Sequence, residues 1–316
     1  MKQLRKIFLA SALLFATTAC ALAQTKNGFD LTGALVPAEQ IEPGGPPKDG
    51  IPSIDSPKFV AARDARFLQG DDRVLGVTRN GIAKAYPVRI LNWHEIVNDT
   101  FGAEHIAVTF CPLCGTGVAY VAAAGGKPLS FGVSGLLYNS DVLVYDRQTQ
   151  SLWSQILAKA VSGPLKGAKL TTIALAHTSW ADWEKRHPDT LVLSTDTGFA
   201  RDYARDPYAG YTQDQSIMFP VARQSARFHP KEPVIGIEVD GKFKAYPFVE
   251  LAKIKDGKIT DRLGGKTLTV RFDAQHRTGA VFDAQGREIP TITAFWFAWY
   301  AFHRDTEVFQ AKSELP

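Results

Sequence analysis

The sequence predicts an α+β, β-rich fold, a tandem duplication of a hairpin–helix–strand unit with a long insertion following the first copy. Two observations lead there. Residues 74–91 (VLGVTRNGIAKAYPVRIL) and 234–251 (VIGIEVDGKFKAYPFVEL) align at a constant offset of 160 with eight of eighteen positions identical. The match resumes at an offset of 162, where Ile106-Ala-Val-Thr-Phe110 meets Leu268-Thr-Val-Arg-Phe272, Thr116-Gly117 meets Thr278-Gly279, and Tyr138 meets Tyr300.

Each copy reads as two strands joined by a two-residue turn. Asn80-Gly81 and Asp240-Gly241 supply the positive φ angles of a type I′ hairpin. Pro87 and Pro247 then suit the first position of a helix, where the missing N–H is not needed. Residues kept by both copies (Gly76, Gly81, Lys84, Ala85, Tyr86, Pro87) are read as structural. The division expected is a signal peptide over 1–23, a Pro/Gly-rich leader over 24–57, a first unit with its insertion over 58–229, and a second, degenerate unit over 230–316. The leader (Pro43-Gly44-Gly45-Pro46-Pro47) lacks hydrophobic periodicity and reads as an extended segment outside the core.

The insertion, roughly 139–228, contains a hairpin over 141–156. A short helix follows over 178–186, capped by Thr178 or Ser179 and stopped by Pro188. A strand over 191–194 and an aromatic, charged surface loop over 198–215 complete it.

The N-terminus has a basic start (Lys2, Arg5, Lys6), about ten apolar residues, and a small-residue stretch ending Ala21-Leu22-Ala23. This predicts export to the periplasm or outside after cleavage near Ala23. Lipoprotein processing at Cys20 is the alternative, with Thr17 standing where a bulky aliphatic residue is expected. No later stretch is long enough to span a membrane. The whole chain carries 36 basic and 32 acidic residues. Without residues 1–23 the balance is 33 to 32, too nearly neutral for a nucleic-acid binder.

Cleavage would leave two cysteines, Cys111 and Cys114, as a single Cys-x-x-Cys pair in an oxidising compartment. They fall in a tight turn between strands, with no helix following whose dipole would lower a thiol pKa. Cys-Pro-Leu-Cys-Gly is similar to the knuckles that place two thiolates on one metal. The second copy has Asp273-Ala-Gln-His276 there, and Ile254 where the first copy has His94. His94 lies at helical spacing from Ile90 and Val97 and is expected to project toward the cysteine-bearing sheet. The expected metal ligands are therefore Cys111, Cys114 and His94, with His105 and His303 as weaker third donors.

The metal would be copper or zinc, with Glu95 or Asn98 orienting His94. The alternative is an enzyme, in which the pair cycles between dithiol and disulfide or one Cys acts as nucleophile with His94 as base. Ser134, Tyr138, Asn139, Asp141 and Arg147 are candidate pocket residues in either case. The partners implied are a metal donor or acceptor, or a thiol-redox protein.

Four long motifs carry a resemblance. They are His-Glu-Ile-Val-Asn-Asp, Thr-Phe-Cys-Pro-Leu-Cys-Gly-Thr, Phe-Gly-Val-Ser-Gly-Leu-Leu-Tyr-Asn-Ser-Asp and Tyr-Asp-Arg-Gln-Thr-Gln-Ser-Leu-Trp-Ser-Gln. With Arg201-Asp-Tyr203 and Asp206-Pro-Tyr208, the region from about 60 to 310 resembles a bacterial exported family known as domain of unknown function 3179. The resemblance implies no particular activity; it adds weight to Cys111, Cys114 and His94.

Overall fold

The computed structural model describes residues 24–312, so the expected signal peptide and cleavage site lie outside the described residues. The fold is β-rich with short helices, and no described helix is long and apolar enough to cross a membrane.

The two hairpins form where the turns require them. Arg73–Arg79 pairs with Ile82–Pro87 around Asn80 (φ 52°) and Gly81 (φ 75°). Pro233–Val239 pairs with Lys242–Pro247 around Asp240 (φ 49°) and Gly241 (φ 74°). A helix follows each, Val88–His94 and Phe248–Leu251, with the proline as N-cap, one position earlier than expected. A three-stranded meander comes next: Ile96–Phe101, Glu104–Cys111 and Thr116–Val121 in one stretch, Lys258–Leu263, Lys266–Asp273 and Thr278–Phe282 in the other.

The shared Lys-Ala-Tyr-Pro segment has a physical reason. Lys84 Nζ sits 2.8 Å from Asp99 Oδ2, and the Tyr86 hydroxyl donates to the same oxygen at 2.6 Å, all buried. Lys244 Nζ and the Tyr246 hydroxyl grip Asp261 in the same way, at 2.8 and 2.9 Å. A buried carboxylate needs both a counter-charge and a hydrogen bond, and alternate residues of one strand supply them.

Each hairpin also carries an indole. A Cβ on Gly76 would come within 2.2 Å of the Trp183 ring, and one on Gly236 within 2.2 Å of Trp299. The tryptophans belong to helices Trp180–Arg186 and Trp296–Phe302 and donate to Thr190 Oγ1 and Thr306 Oγ1. Ser179 caps the first of these helices, as expected. The pairing of Tyr138 with Tyr300 does not hold, since Tyr138 ends the strand Phe131–Tyr138 whereas Tyr300 lies in a helix.

Two further expectations are corrected. The stretch expected as one insertion splits. Ala176–Ser179 adds to the first hairpin beside Arg73–Gly76, and Leu191–Leu193 runs parallel to Lys84 and Ala85. The separate piece is a five-stranded sheet of Lys159–Ser162, Leu152–Ser154, Asp141–Asp146, Phe131–Tyr138 and Ile41–Pro43. The leader is not outside the core either. Phe29, Leu31 and Ile41 are buried against Leu136, Leu143 and Tyr145, and Ile54 bridges to Val97. Its apolar residues are too widely spaced to show a period, yet each fills a gap beside the five-stranded sheet.

Candidate metal centre

Cys111 ends the strand Glu104–Cys111, and Thr116, paired with it, begins the next. The Cys111-Pro-Leu-Cys114 turn closes with the Cys114 N–H on the Cys111 carbonyl at 3.2 Å. Gly115 takes φ 59°, and a Cβ there would strike the Phe295 ring at 2.7 Å, so glycine is required for both conformation and space. The Phe295 N–H donates to the Cys114 carbonyl at 2.8 Å, fastening the knuckle to the strand Ile292–Phe295.

The third component comes from the other sheet. Asn139 and Ser140, both with positive φ, turn the chain from Phe131–Tyr138 into Asp141–Asp146. This tight turn delivers the Asp141 carboxylate and the Ser140 carbonyl to the sulfurs. Cys114 Sγ donates to that carbonyl at 3.2 Å. One donor atom each from Cys111, Cys114 and Asp141 lies within 4.8 Å of the others, and all three residues are buried.

The electrostatics of this spot are unusual. Burial pushes both thiols up, Cys114 most strongly, and the charge of Asp141 adds to the effect. Burial raises Asp141 to about 7 and Glu95 to about 8, the latter helped by the charge of Asp141. Four acids thus share one dry region, and no cation figures among the groups acting on them. Among the described residues six buried side-chain polar atoms have no hydrogen-bond partner, and three of them (Asp141 Oδ1, Ser140 Oγ, Gln155 Oε1) belong to this neighbourhood. Gln155 is held there by Thr109 Oγ1 and the Thr116 carbonyl. Unpaired buried polar atoms cost about 1–3 kcal/mol each, and half of those among the described residues lie beside the knuckle.

His94 is not part of this group. It is fully buried, but Nδ1 meets the Pro52 carbonyl at 2.8 Å and Nε2 meets the Tyr203 hydroxyl at 2.6 Å. The reason is local. The helix Val88–His94 ends there, and Glu95 adopts a left-handed conformation (φ 58°). His94 therefore faces the leader and the 198–215 loop, while the next side chain, Glu95, turns toward the sulfurs. Neither His105 nor His303 joins the Cys111, Cys114 and Asp141 donor group.

The remaining candidates make contacts of their own. Asn98 orients no histidine; it bonds Asp55 and both backbone groups of Phe131. Ser134 bridges the Leu143 carbonyl and the Leu136 N–H at a strand irregularity. Asn139 accepts from the Ala222 N–H, and Tyr138 packs edge-on against Phe302. Arg147 lies past the far end of its strand, engaged with Asp49, Asp55, Tyr145 and Ser53. Sequence reasoning noted Gln155 only among the polar residues after Tyr138 and Tyr208 only within a motif, and tied neither to the cysteines; Tyr208 is pushed up by burial and then by the charges of Glu95 and Cys111. A pocket of about 130 Å³ beside Glu95, Leu113 and Tyr208 adjoins the knuckle.

The family profile described as a protein of unknown function, DUF3179, matches residues 48–306, most of the chain. The chain belongs to DUF3179. No curated protein and no solved structure matched it. In this DUF3179 protein the matched span contains the knuckle, Glu95, Asp141 and Tyr208.

Proposed function

We propose that this DUF3179 protein is an exported metal-binding protein that holds one zinc ion on Cys111, Cys114 and Asp141. The observation that carries the reading is the convergence of three buried acidic donors with no counter-ion among the described residues. Ligand atoms on a tetrahedral zinc, bonded at about 2.0–2.3 Å, stand roughly 3.5 Å apart, and the spread of these three allows that closure. Ionising each acid alone is costly in such surroundings, whereas a divalent cation converts the burial penalty of all three into attraction. Two thiolates suit either copper(I) or zinc, and the carboxylate in place of His94 favours zinc. Three protein ligands leave a fourth position open, as in transfer and catalytic sites rather than closed structural ones. Glu95 and the small pocket beside it give that position both space and an ionisable neighbour. A thiol-redox centre has less support, because such centres depend on a lowered thiol pKa.

The test is elemental analysis of anaerobically purified protein. About one zinc per chain is expected, lost in a Cys111→Ser/Cys114→Ser variant and in Asp141→Asn but kept in His94→Ala. Protein that stays metal-free after growth in zinc- and copper-supplemented medium, and takes up neither metal on reconstitution, rules the proposal out.

We further infer that the two hairpin–helix–meander stretches descend from one duplicated unit. Their matching Lys–Tyr–Asp clusters and their indoles seated on Gly76 and Gly236 support this. The knuckle and its acids are then a property of the first copy alone.

A further inference from the structure

A second feature stands apart from the knuckle's acids. A cleft of about 750 Å³ runs between the two stretches. The two turns that differ most between them face it: Pro112 and Gly115 from the cysteine knuckle, and Arg277 from just beyond the 273–276 turn. Arg73 and Lys231 line it as well.

Among the described residues these cations form no direct ion pair, although Asp214 lies close enough for its charge to act on Lys231. Arg73 donates to three carbonyls, of His276 and His177 at 2.6 Å and of Arg277 at 3.1 Å. Carbonyls fix the guanidinium in place without an ion pair, although the charge of Asp182 acts on it, and its Nε makes no hydrogen bond among the described residues. Lys231 is only 3% exposed, yet its ammonium meets just the Asp214 carbonyl and the face of Tyr211, 3.8 Å from the ring centroid. Arg277 is exposed, with φ 47° and no ion pair among the described residues. His177 also borders the cleft, and its buried Nδ1 has no partner.

The two carboxylates on the cleft wall are turned to amides. Asp206 accepts from Asn92 and the Tyr208 N–H, and Glu232 accepts from the Val249 N–H. A buried cation without an ion pair is costly, and this cleft sets buried Lys231, half-buried Arg73 and exposed Arg277 around an open volume.

We propose that this cleft binds the oxyanion group, carboxylate or phosphate, of a small molecule between Arg73, Lys231 and Arg277. Arg73 offers its positive charge and the N–H groups its three carbonyl bonds leave over, and Lys231 offers a point charge. The site stands whether or not the knuckle holds zinc. Since Pro112 and Gly115 form part of its wall, an anion bound here would rest directly over the candidate metal centre.

The test is calorimetric titration of the full chain at low ionic strength with two probes, inorganic phosphate and citrate. Saturable binding of either at one per chain is expected, and the preferred probe identifies the group recognised. Lys231→Gln with Arg277→Gln is expected to weaken binding about tenfold or more, which is about 1.4 kcal/mol. Arg277→Gln alone, at an exposed position, keeps the test valid if the double variant misfolds, and is expected to weaken binding severalfold. Lys127→Gln, an exposed cation outside the cleft, is expected to change nothing. The Cys111→Ser/Cys114→Ser variant is expected to bind the anion normally while lacking zinc, which separates failure of this site from failure of the metal centre. Absence of saturable binding of both probes at millimolar concentration, or equal binding by the Arg277 variants, overturns the proposal.

Discussion

The Nε2 of His94 lies 2.6 Å from the Tyr203 hydroxyl, and that hydroxyl lies 2.6 Å from Thr197 Oγ1. Together with the contact from His94 to Pro52, this chain of polar groups ties the helix end to the leader and to the long loop after Leu191–Leu193. Burial holds His94 below its ordinary pKa, in the neutral form such a relay needs. Its role is to fasten segments. His94→Ala is expected to lower stability by about 2–4 kcal/mol, leaving Pro52 and Tyr203 with unmet partners, while zinc content stays at the wild-type value. Denaturant unfolding paired with elemental analysis checks both halves, and loss of zinc from a folded His94→Ala protein would contradict the assignment.

The acids beside the knuckle predict an unusual pH dependence. In metal-free protein Asp141 is raised to about 7 and Glu95 to about 8, in both cases first by burial. Unfolded carboxyls ionise near 4, so between about pH 4 and about pH 8 the native chain holds protons that the unfolded chain has released. Stability from these groups is complete at the acid end, declines from about pH 4 upward, and is fully lost once pH has risen through about 7 to 8. Each contributes a slope of up to about 1.4 kcal/mol per pH unit. The melting temperature of metal-free protein is expected to fall more steeply from pH 5 to 8 than that of Glu95→Gln, which cannot ionise. Parallel melting curves for the two proteins across that range would refute this.

The glycines under the indoles give a packing prediction. A methyl at Gly76 or Gly236 has no room, with the tryptophan ring atoms 2.2 Å away. Gly76→Ala and Gly236→Ala are each expected to cost about 3 kcal/mol or more, or to prevent folding, because the ring must leave its place. Gly81→Ala offers a contrast: nothing lies within 4 Å of its Cβ, and only the positive φ is strained, so a loss nearer 1 kcal/mol is expected. Comparing the urea midpoints of the three variants decides the matter.

The Lys84–Asp99 pair is expected to behave as a buried ion pair. Lys84→Met leaves Asp99 charged with only Tyr86 and a neighbouring amide as partners, at a cost of about 3–5 kcal/mol. Removing the exposed pair of Lys58 and Asp196, both more than half accessible, is expected to cost no more than about 1 kcal/mol. Equal midpoints for Lys84→Met and Lys58→Met would show that burial does not set the difference.

Much of this architecture was legible in the residues alone. The Asn-Gly and Asp-Gly turns, the prolines ahead of the helices and the knuckle between two strands all rest on local backbone chemistry, which acts within a few residues. The Lys-Ala-Tyr-Pro segment could be recognised as structural because it recurs, although its partners Asp99 and Asp261 emerged only once the strands were paired. The leader was misjudged for the complementary reason. Phe29, Leu31 and Ile41 carry no period, and their burial comes from a sheet assembled a hundred residues later.

The candidate centre divides along the same line. The sequence by itself determined that two thiols share one tight turn, since Cys-x-x-Cys and Gly115 impose that geometry locally. Which third group meets them was decided by the tertiary structure. His94 has helical periodicity in its favour, but periodicity says only that a residue is buried, not which of two interior spaces it enters. One left-handed residue at the helix end sends His94 to the leader side and Glu95 to the other. Asp141, on a separate sheet and thirty positions from the knuckle, reaches the sulfurs because the Asn139-Ser140 turn folds its strand back on itself.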